Sequence, residues 1–267
     1  MTDALAVTDA TVRLSGRLAL DGVSLTVRAG EVVGIIGGNG GGKTTLLRAT
    51  LGLTPLLRGE VRLGGRTVAR LSDRERAERA AYLPQSREIA WNLPAWRLVA
   101  LGAPRWGSGA AARDEATAAL DALGVADLAD RGVHDMSGGE RARVLLARMI
   151  VTGAPLLVAD EPAAGLDPDA QFLVLELLRA RANQGAAVAV SLHDLTLAAR
   201  GCDRLAVLAD GRLVAFDTPI RALSPNILRE AFGLDGELVS TPHGLVVAFA
   251  RGYRPPAAAP PVATDGR

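Results

Sequence analysis

The sequence predicts an α/β fold, with a parallel sheet at its core, an antiparallel β layer beside it and an inserted helical subdomain. Two apolar strand segments, 155–160 and 186–191, flank the helical segment 167–183, and this alternation is typical of a parallel sheet covered on both faces. Upstream, the apolar run 32–36 leads through a glycine-rich loop into an amphipathic segment at 45–49. The core is therefore predicted to consist of strand–loop–helix units.

The antiparallel layer is predicted from the first quarter of the chain. Residues 5–8 and 23–27 form predicted strands, the second with apolar residues at every other position, and a hairpin pattern follows at 59–66. Ser72 starts a capping-box pattern that predicts a short charged helix, and 80–83 is a small predicted strand. We expect this layer to pack beside the parallel core.

The helical subdomain is assigned to residues 86–140, where Gly- and Pro-rich joints separate helical patterns. The α/β core then comprises residues 1–85 and 141–230. Residues 231–254 form a C-terminal extension with a predicted hairpin, and the Pro- and Ala-rich tail 255–267 is expected to be disordered.

Composition narrows the classes of function. The net charge is +1 and both signs are mixed along the 267 residues, so we expect no nucleic-acid partner. Cys202 is the single cysteine, which excludes an internal disulfide, suits a reducing compartment and is better explained by packing than by chemistry. No apolar run approaches the ~18 residues of a membrane span, and the start of the chain does not resemble a signal peptide. We therefore expect a cytosolic protein.

The loop after residues 32–36 has the composition of a phosphate cradle. Five glycines free the backbone N–H groups to surround an anion, and the helix start adds roughly half a positive charge. Lys43 is the single lysine among 30 basic residues and would reach phosphate oxygens, while the Thr44 hydroxyl would complete a Mg²⁺ shell. The alternative is a surface lysine beside a Gly-rich turn. The predicted binding residues are Gly37, Gly38, Asn39, Gly40, Gly41, Gly42, Lys43, Thr44 and Thr45.

Two carboxylates, Asp160 and Glu161, end a predicted buried strand, where they are costly unless they face a metal and a reacting water. Asp160 suits a Mg²⁺ shell through water, and Glu161 could polarise a water that attacks a γ-phosphate. The alternative is an acidic turn before Pro162.

A second helix start, with Ser137, Gly138, Gly139 and Glu140, also suits an anion, because the serine is a natural N-cap and the glycines bare the first N–H groups. Taken alone, this stretch is ordinary capping. Two such helix starts in one chain suggest a nucleotide that is gripped from both sides.

Six motifs follow one another along the chain, and together they resemble the nucleotide-binding subunit of an ABC transporter over about residues 5–230. These motifs are 37–45, Gln85, 137–140, 156–161, 166–167 and His193. The resemblance implies a P-loop NTPase (RecA-like) core, ATP and Mg²⁺ as cofactors, and a head-to-tail homodimer. In that dimer Ser137 and its glycines meet the γ-phosphate that is held by the partner's loop.

The resemblance also implies individual roles. Gln85 would touch Mg²⁺ and the attacking water, Asp167 would contact the opposite subunit, and His193 would bind the γ-phosphate and hold Glu161 in place. A lone histidine after a strand could otherwise be structural.

Two departures from the family pattern concern the base and the second helix start. The aromatic residue that usually stacks on adenine is replaced by Leu14, with Arg13 and Arg17 nearby, so adenine binding is expected to be weaker or to use a guanidinium. Glu140 stands in place of Gln and Met136 in place of Leu, and we expect activity to survive both changes.

The sequences of segments 81–85, 191–195 and 224–233 most resemble those of the ATP-binding subunits of importers of iron-siderophore complexes, haem and cobalamin. That likeness implies membrane permease subunits, indirectly a substrate-binding protein, and a place on the cytoplasmic face of the membrane. The alternatives are an exporter subunit, a soluble ABC ATPase of iron–sulfur assembly or DNA repair, and a regulatory module without turnover. Three tryptophans of the helical subdomain either line a permease groove or form its core: Trp91, Trp96 and Trp106.

Overall fold

A computed structural model describes residues 3–86, 88–102 and 109–251. Its central sheet has six strands in the order β10-β9-β3-β8-β7-β6, of which β9, β3, β8, β7 and β6 run parallel and β10 is an antiparallel edge. The predicted α/β class is confirmed. The strands are β3 (Val32–Gly37), β6 (Ala80–Leu83), β7 (Leu156–Asp160), β8 (Ala187–Ser191), β9 (Arg204–Ala209) and β10 (Arg212–Asp217).

The predicted antiparallel layer is a four-stranded sheet with the order β2-β1-β4-β5. Its first strands are longer than the predicted segments 5–8 and 23–27. The cause is a break in the pairing register between Val7 and Ala10, where Asp9 adopts a left-handed φ of 51°, which interrupts the period-two pattern. The strands are β1 (Leu5–Leu14), β2 (Arg17–Val27), β4 (Arg58–Leu63) and β5 (Arg66–Thr67).

Nine α-helices complete the described chain, and three of them form the helical insertion between β6 and β7. The predicted capping box of Ser72 is present, whereas Ser224 stands at the N-cap of α9 without a side-chain cap hydrogen bond. The helices are α1 (Lys43–Thr50), α2 (Asp73–Arg79), α3 (Ala95–Ala100), α4 (Ala110–Asp121), α5 (Gly138–Ile150), α6 (Pro168–Asn183), α7 (Leu195–Gly201), α8 (Pro219–Ala222) and α9 (Pro225–Phe232).

The central sheet separates two hydrophobic clusters. Val32 and Ile36 of β3 face the cluster that contains the helical insertion, α6 and α7, while Val33 and Ile35 face the cluster of α1 and the antiparallel layer. Because both faces are covered, the parallel strands are apolar along most of their length, with polar residues such as Asp160, Ser191 and Arg204 at their ends. Their carboxyl ends meet at one edge, where polar residues converge.

The predicted C-terminal hairpin consists of β11 (Leu234–Thr241) and β12 (Gly244–Arg251), and the tail 255–267 lies outside the described residues. In the part of the chain that the structure describes, no helix is both long and apolar enough to cross a membrane.

Candidate functional site

The glycine-rich loop joins the end of β3 to the start of α1. Gly42 adopts φ +100°, and a Cβ atom at this position would lie 2.7 Å from the carbonyl oxygen of Ala19, so a side chain is excluded. The Gly41 amide donates a hydrogen bond to the Gly38 carbonyl oxygen (3.1 Å) and closes the turn. The loop therefore depends on glycine both for its backbone conformation and for its close approach to β2.

Lys43 begins α1 with its side chain folded back over the loop. The residue is 6% exposed, and Nζ donates hydrogen bonds to the carbonyl oxygens of Gly37 (2.9 Å) and Gly38 (3.2 Å). Burial lowers the pKa of Lys43, and the nearby carboxylates of Glu161 and Asp160 oppose that shift. A bound phosphate would add the negative charge that this buried ammonium favours.

Glu161 follows the last residue of β7 and presents its carboxylate at the loop. Gln85 Nε2 donates a hydrogen bond to Oε2 (2.8 Å), and Nε2 of His193 contacts Oε1. The backbone amide of Glu161 donates to the Ser191 hydroxyl (2.8 Å), and its φ of 53° lies in the left-handed region. Glu161 thus combines a strained backbone with a carboxylate that is only 9% exposed and makes a contact through each oxygen, which is typical of a functional site.

Asp160 ends β7 beside Glu161 and is 1% exposed. The Ser191 hydroxyl donates a hydrogen bond to Oδ1 (2.6 Å), while Oδ2 has no hydrogen-bond partner among the described residues. An unsatisfied buried carboxylate oxygen is costly unless a cation or an ordered water joins it. Asp160 is not among the residues that line the neighbouring cavity, whereas Thr44 and Gln85 are, and the oxygens of these three side chains are of the type that would hold a Mg²⁺ ion.

A cavity of about 240 Å³ lies over the loop and α1. It brings Gln85, Glu161 and His193 together with the phosphate loop, although their sequence positions are far apart. Ala19 also lines the cavity, and no pattern in the sequence indicated this residue. Ser191 was missed as well, although a polar residue at the end of an apolar strand could have indicated it. The predicted residues that line the cavity are Asn39, Gly40, Gly41, Gly42, Lys43, Thr44, Thr45, Gln85, Glu161 and His193.

Comparison with known proteins gives the family. The ABC transporter family model matches residues 20–164. The chain belongs to the ABC transporter family. As an ABC ATP-binding subunit it binds and hydrolyses ATP to power transport.

Two curated relatives carry import in their names. The chain is 44% identical over 234 residues to the hemin import ATP-binding protein HmuV of Streptomyces coelicolor, covering 86% of this chain and 84% of that protein. It is 41% identical over 237 residues to the cobalamin import ATP-binding protein BtuD of Halobacterium salinarum, and the match covers 85% of this chain and 58% of that protein. The fold is also similar to a solved structure, the dimeric post-hydrolysis state of the ATP-binding cassette MJ0796 bound to ADP and Pi. The TM-score is 0.74 at 26% identity, and the match covers 80% of this chain and 98% of that chain.

The second predicted helix start of this ABC ATPase lies away from the cavity. The Ser137 hydroxyl accepts a hydrogen bond from the Glu140 amide (3.2 Å), and Glu140 Oε2 accepts one from the Ser137 amide (2.7 Å). This second bond lowers the pKa of Glu140, and glutamate therefore serves as the capping partner in place of glutamine. Asp167 caps α6 by accepting from the Ala170 amide (2.8 Å) and is also absent from the cavity lining. Their contacts to nucleotide stay predictions.

The predicted base-binding position is the hairpin between β1 and β2. Leu14 is half-exposed there, paired across the strands with Arg17 and next to Arg13. An aliphatic side chain thus stands where the ABC ATPase pattern has an aromatic one, and the weaker adenine contact stays a prediction.

Proposed function

We propose that this chain is the ATP-hydrolysing subunit of an importer for haem or a related metal chelate, of the iron-siderophore or cobalamin type. The observation that carries the hydrolytic half is the placement of Glu161 beside the phosphate loop, in contact with both Gln85 and His193. The import names of the relatives support the cargo class. The chain would act at the cytoplasmic face of the membrane, on permease subunits that receive cargo from a substrate-binding protein.

In the proposed reaction Glu161 orients and polarises the water that attacks the γ-phosphate. His193 fixes the orientation of that carboxylate, and Lys43 offsets charge on the phosphate oxygens. Asp160, Thr44 and Gln85 would hold Mg²⁺, which would supply further neutralisation of phosphate charge. Gln85 and His193 each contact one oxygen of Glu161, and each of these carboxylate oxygens keeps a further lone pair that could accept a hydrogen bond from the water.

The site would be completed by a second copy of the chain. Ser137, Gly138, Gly139, Glu140 and Asp167 are absent from the residues that line the cavity, so they would contact nucleotide or partner only across a head-to-tail interface. The dimeric structure of a related cassette supports this arrangement.

Crosslinking tests the composite site. Cys202 is buried, and burial raises its pKa to about 12, so a Ser137→Cys variant offers one reactive thiol. A chain with Ser137→Cys and Lys43→Ala is mixed with wild type and a thiol-reactive ATP analogue. Capture on the double variant is expected only when wild-type chains are present, because their loops hold the nucleotide. Equal capture without wild type, or none with it, would contradict the composite site.

Reconstitution with the membrane subunits tests the cargo. Vesicles that contain the permease, the chain and trapped ATP, with the substrate-binding protein outside, are expected to take up haem, a ferric siderophore or cobalamin, and Glu161→Gln should abolish uptake. Failure of all three substrates, or ATP-driven movement in the opposite direction, would refute the importer proposal while leaving the ATPase intact.

The tryptophans of the helical insertion differ in their surroundings. Trp91 is 71% exposed, whereas Trp96 is partly buried against the core with the guanidinium groups of Arg97 and Arg113 each 5.3 Å from its ring. Trp106 lies outside the described residues. Trp91 therefore fits the interface interpretation, and Trp96 fits a partly structural one.

Trp91→Ala is expected to weaken the affinity for the permease about 30-fold or more, which corresponds to the loss of about 2 kcal/mol at an interface hot spot. The variant should therefore co-purify poorly with the permease. ATP hydrolysis by the free chain should be unchanged, since the ring supports no core packing. The exposed Leu57 of the antiparallel side gives a matched control, Leu57→Ala, which should retain the permease. Loss of soluble folding in Trp91→Ala would instead favour a core role.

A further inference from the structure

The C-terminal hairpin packs against the helix that follows His193. Val247 of β12 is 5% exposed and belongs to the hydrophobic cluster on the helical face of the sheet. Its amide donates a hydrogen bond to Oγ1 of Thr196 (3.2 Å), and Nε of Arg200 donates to the Leu245 carbonyl oxygen (2.7 Å). Strand β12 therefore holds α7 near both of its ends.

Thr196 joins the hairpin to the N-terminal cap of α7. Its backbone amide donates to Oδ1 of Asp194 (2.7 Å), which also accepts from the Leu197 amide (2.9 Å). Asp194 directly follows His193, whose Nε2 contacts Oε1 of Glu161. Four contiguous residues, 193–196, thus link strand β12 to the carboxylate over the phosphate loop.

The imidazole of His193 depends on this backbone for its direction. Its side chain is 46% exposed, so packing fixes only part of the ring, and the start of α7 sets where the ring begins. Small displacements of a reacting group are costly, because catalysis requires close alignment. We infer that β12 is a positioning element for the contact between His193 and Glu161, acting through the hydroxyl of Thr196. The inference rests on the catalytic roles that are proposed above.

Thr196→Val tests the inference, since it keeps the shape of the side chain and removes the acceptor of the Val247 amide. The kcat for ATP hydrolysis by the purified chain is expected to fall about three- to ten-fold, the weight of one hydrogen bond, with KM for ATP unchanged. Thr196→Ser keeps the hydroxyl and should restore kcat. If the contact were merely structural, Thr196→Val would lower the melting temperature without lowering kcat at an unchanged KM.

Two further variants separate the possible failures. Arg200→Gln removes the guanidinium that donates to Leu245, a second hydrogen bond between hairpin and helix, and it should lower the melting temperature while leaving kcat at the wild-type value. Equal losses of kcat in Arg200→Gln and Thr196→Val, or a wild-type kcat in Thr196→Val, would overturn the inference. His193→Ala tests the proposed function itself: an unchanged kcat there would refute the role of His193, whatever Thr196 does.

Discussion

Glu161→Gln is expected to bind ATP and to hydrolyse it about 10²- to 10⁴-fold more slowly than wild type, the range for loss of a positioned base. The amide keeps the size of the carboxylate, so Gln85 can still donate to its oxygen, but an amide does not accept a proton from water. Because the γ-phosphate persists, the ATP-bound dimer should accumulate. The measurements are single-turnover hydrolysis and size-exclusion chromatography with saturating ATP and Mg²⁺.

The matched control for this change is Glu176→Gln on the exposed face of α6, which lies outside the site and should retain wild-type turnover and a reversible dimer. Wild-type turnover in Glu161→Gln would show that another group orients the water. A monomer at saturating ATP and Mg²⁺ would count against a site shared between two copies.

Lys43→Ala is expected to weaken ATP binding by about 10- to 150-fold, which corresponds to the 1.5–3 kcal/mol of a charge-assisted contact. The lost affinity should come from contacts with the phosphates of ATP, because Gly37 and Gly38 hold Nζ at the loop rather than near the adenine base. Equilibrium binding of ATP and of adenosine measures it, because adenosine affinity should not change.

Lys43→Met and Lys43→Arg serve as the controls. The methionine keeps an unbranched chain without charge, and its thermal unfolding without nucleotide separates lost affinity from lost folding. Because burial lowers the pKa of Lys43, the nucleotide-free protein should tolerate this neutral replacement. The planar guanidinium of Lys43→Arg is too large for the loop and should not rescue binding. Wild-type ATP affinity in Lys43→Ala would mean that the loop does not hold the phosphates.

Residue types at short spacing were sufficient to predict the phosphate loop and most of the helices and strands. The capping box of Ser72 depends on neighbours within a few residues, and both it and the glycines around Lys43 were predicted from the sequence. The close approach of Gly42 to Ala19 joins distant residues and was seen only in the structure. Element lengths were less predictable where a bulge interrupts the alternation, as at Asp9, because the extra residue is set by pairing with β2 and β4.

The sequence by itself determined the α/β class, the phosphate loop and the order of the motifs, because each depends on residue types at short spacing. Only the tertiary structure decided that Gln85 shares the Glu161 carboxylate with His193, that Ser191 supports the two carboxylates, and that a C-terminal strand holds α7. These contacts join residues that are distant along the chain. They exist because the order of strands in the sheet brings the ends of β6, β7 and β8 to one edge, and sheet order depends on the packing of the whole chain.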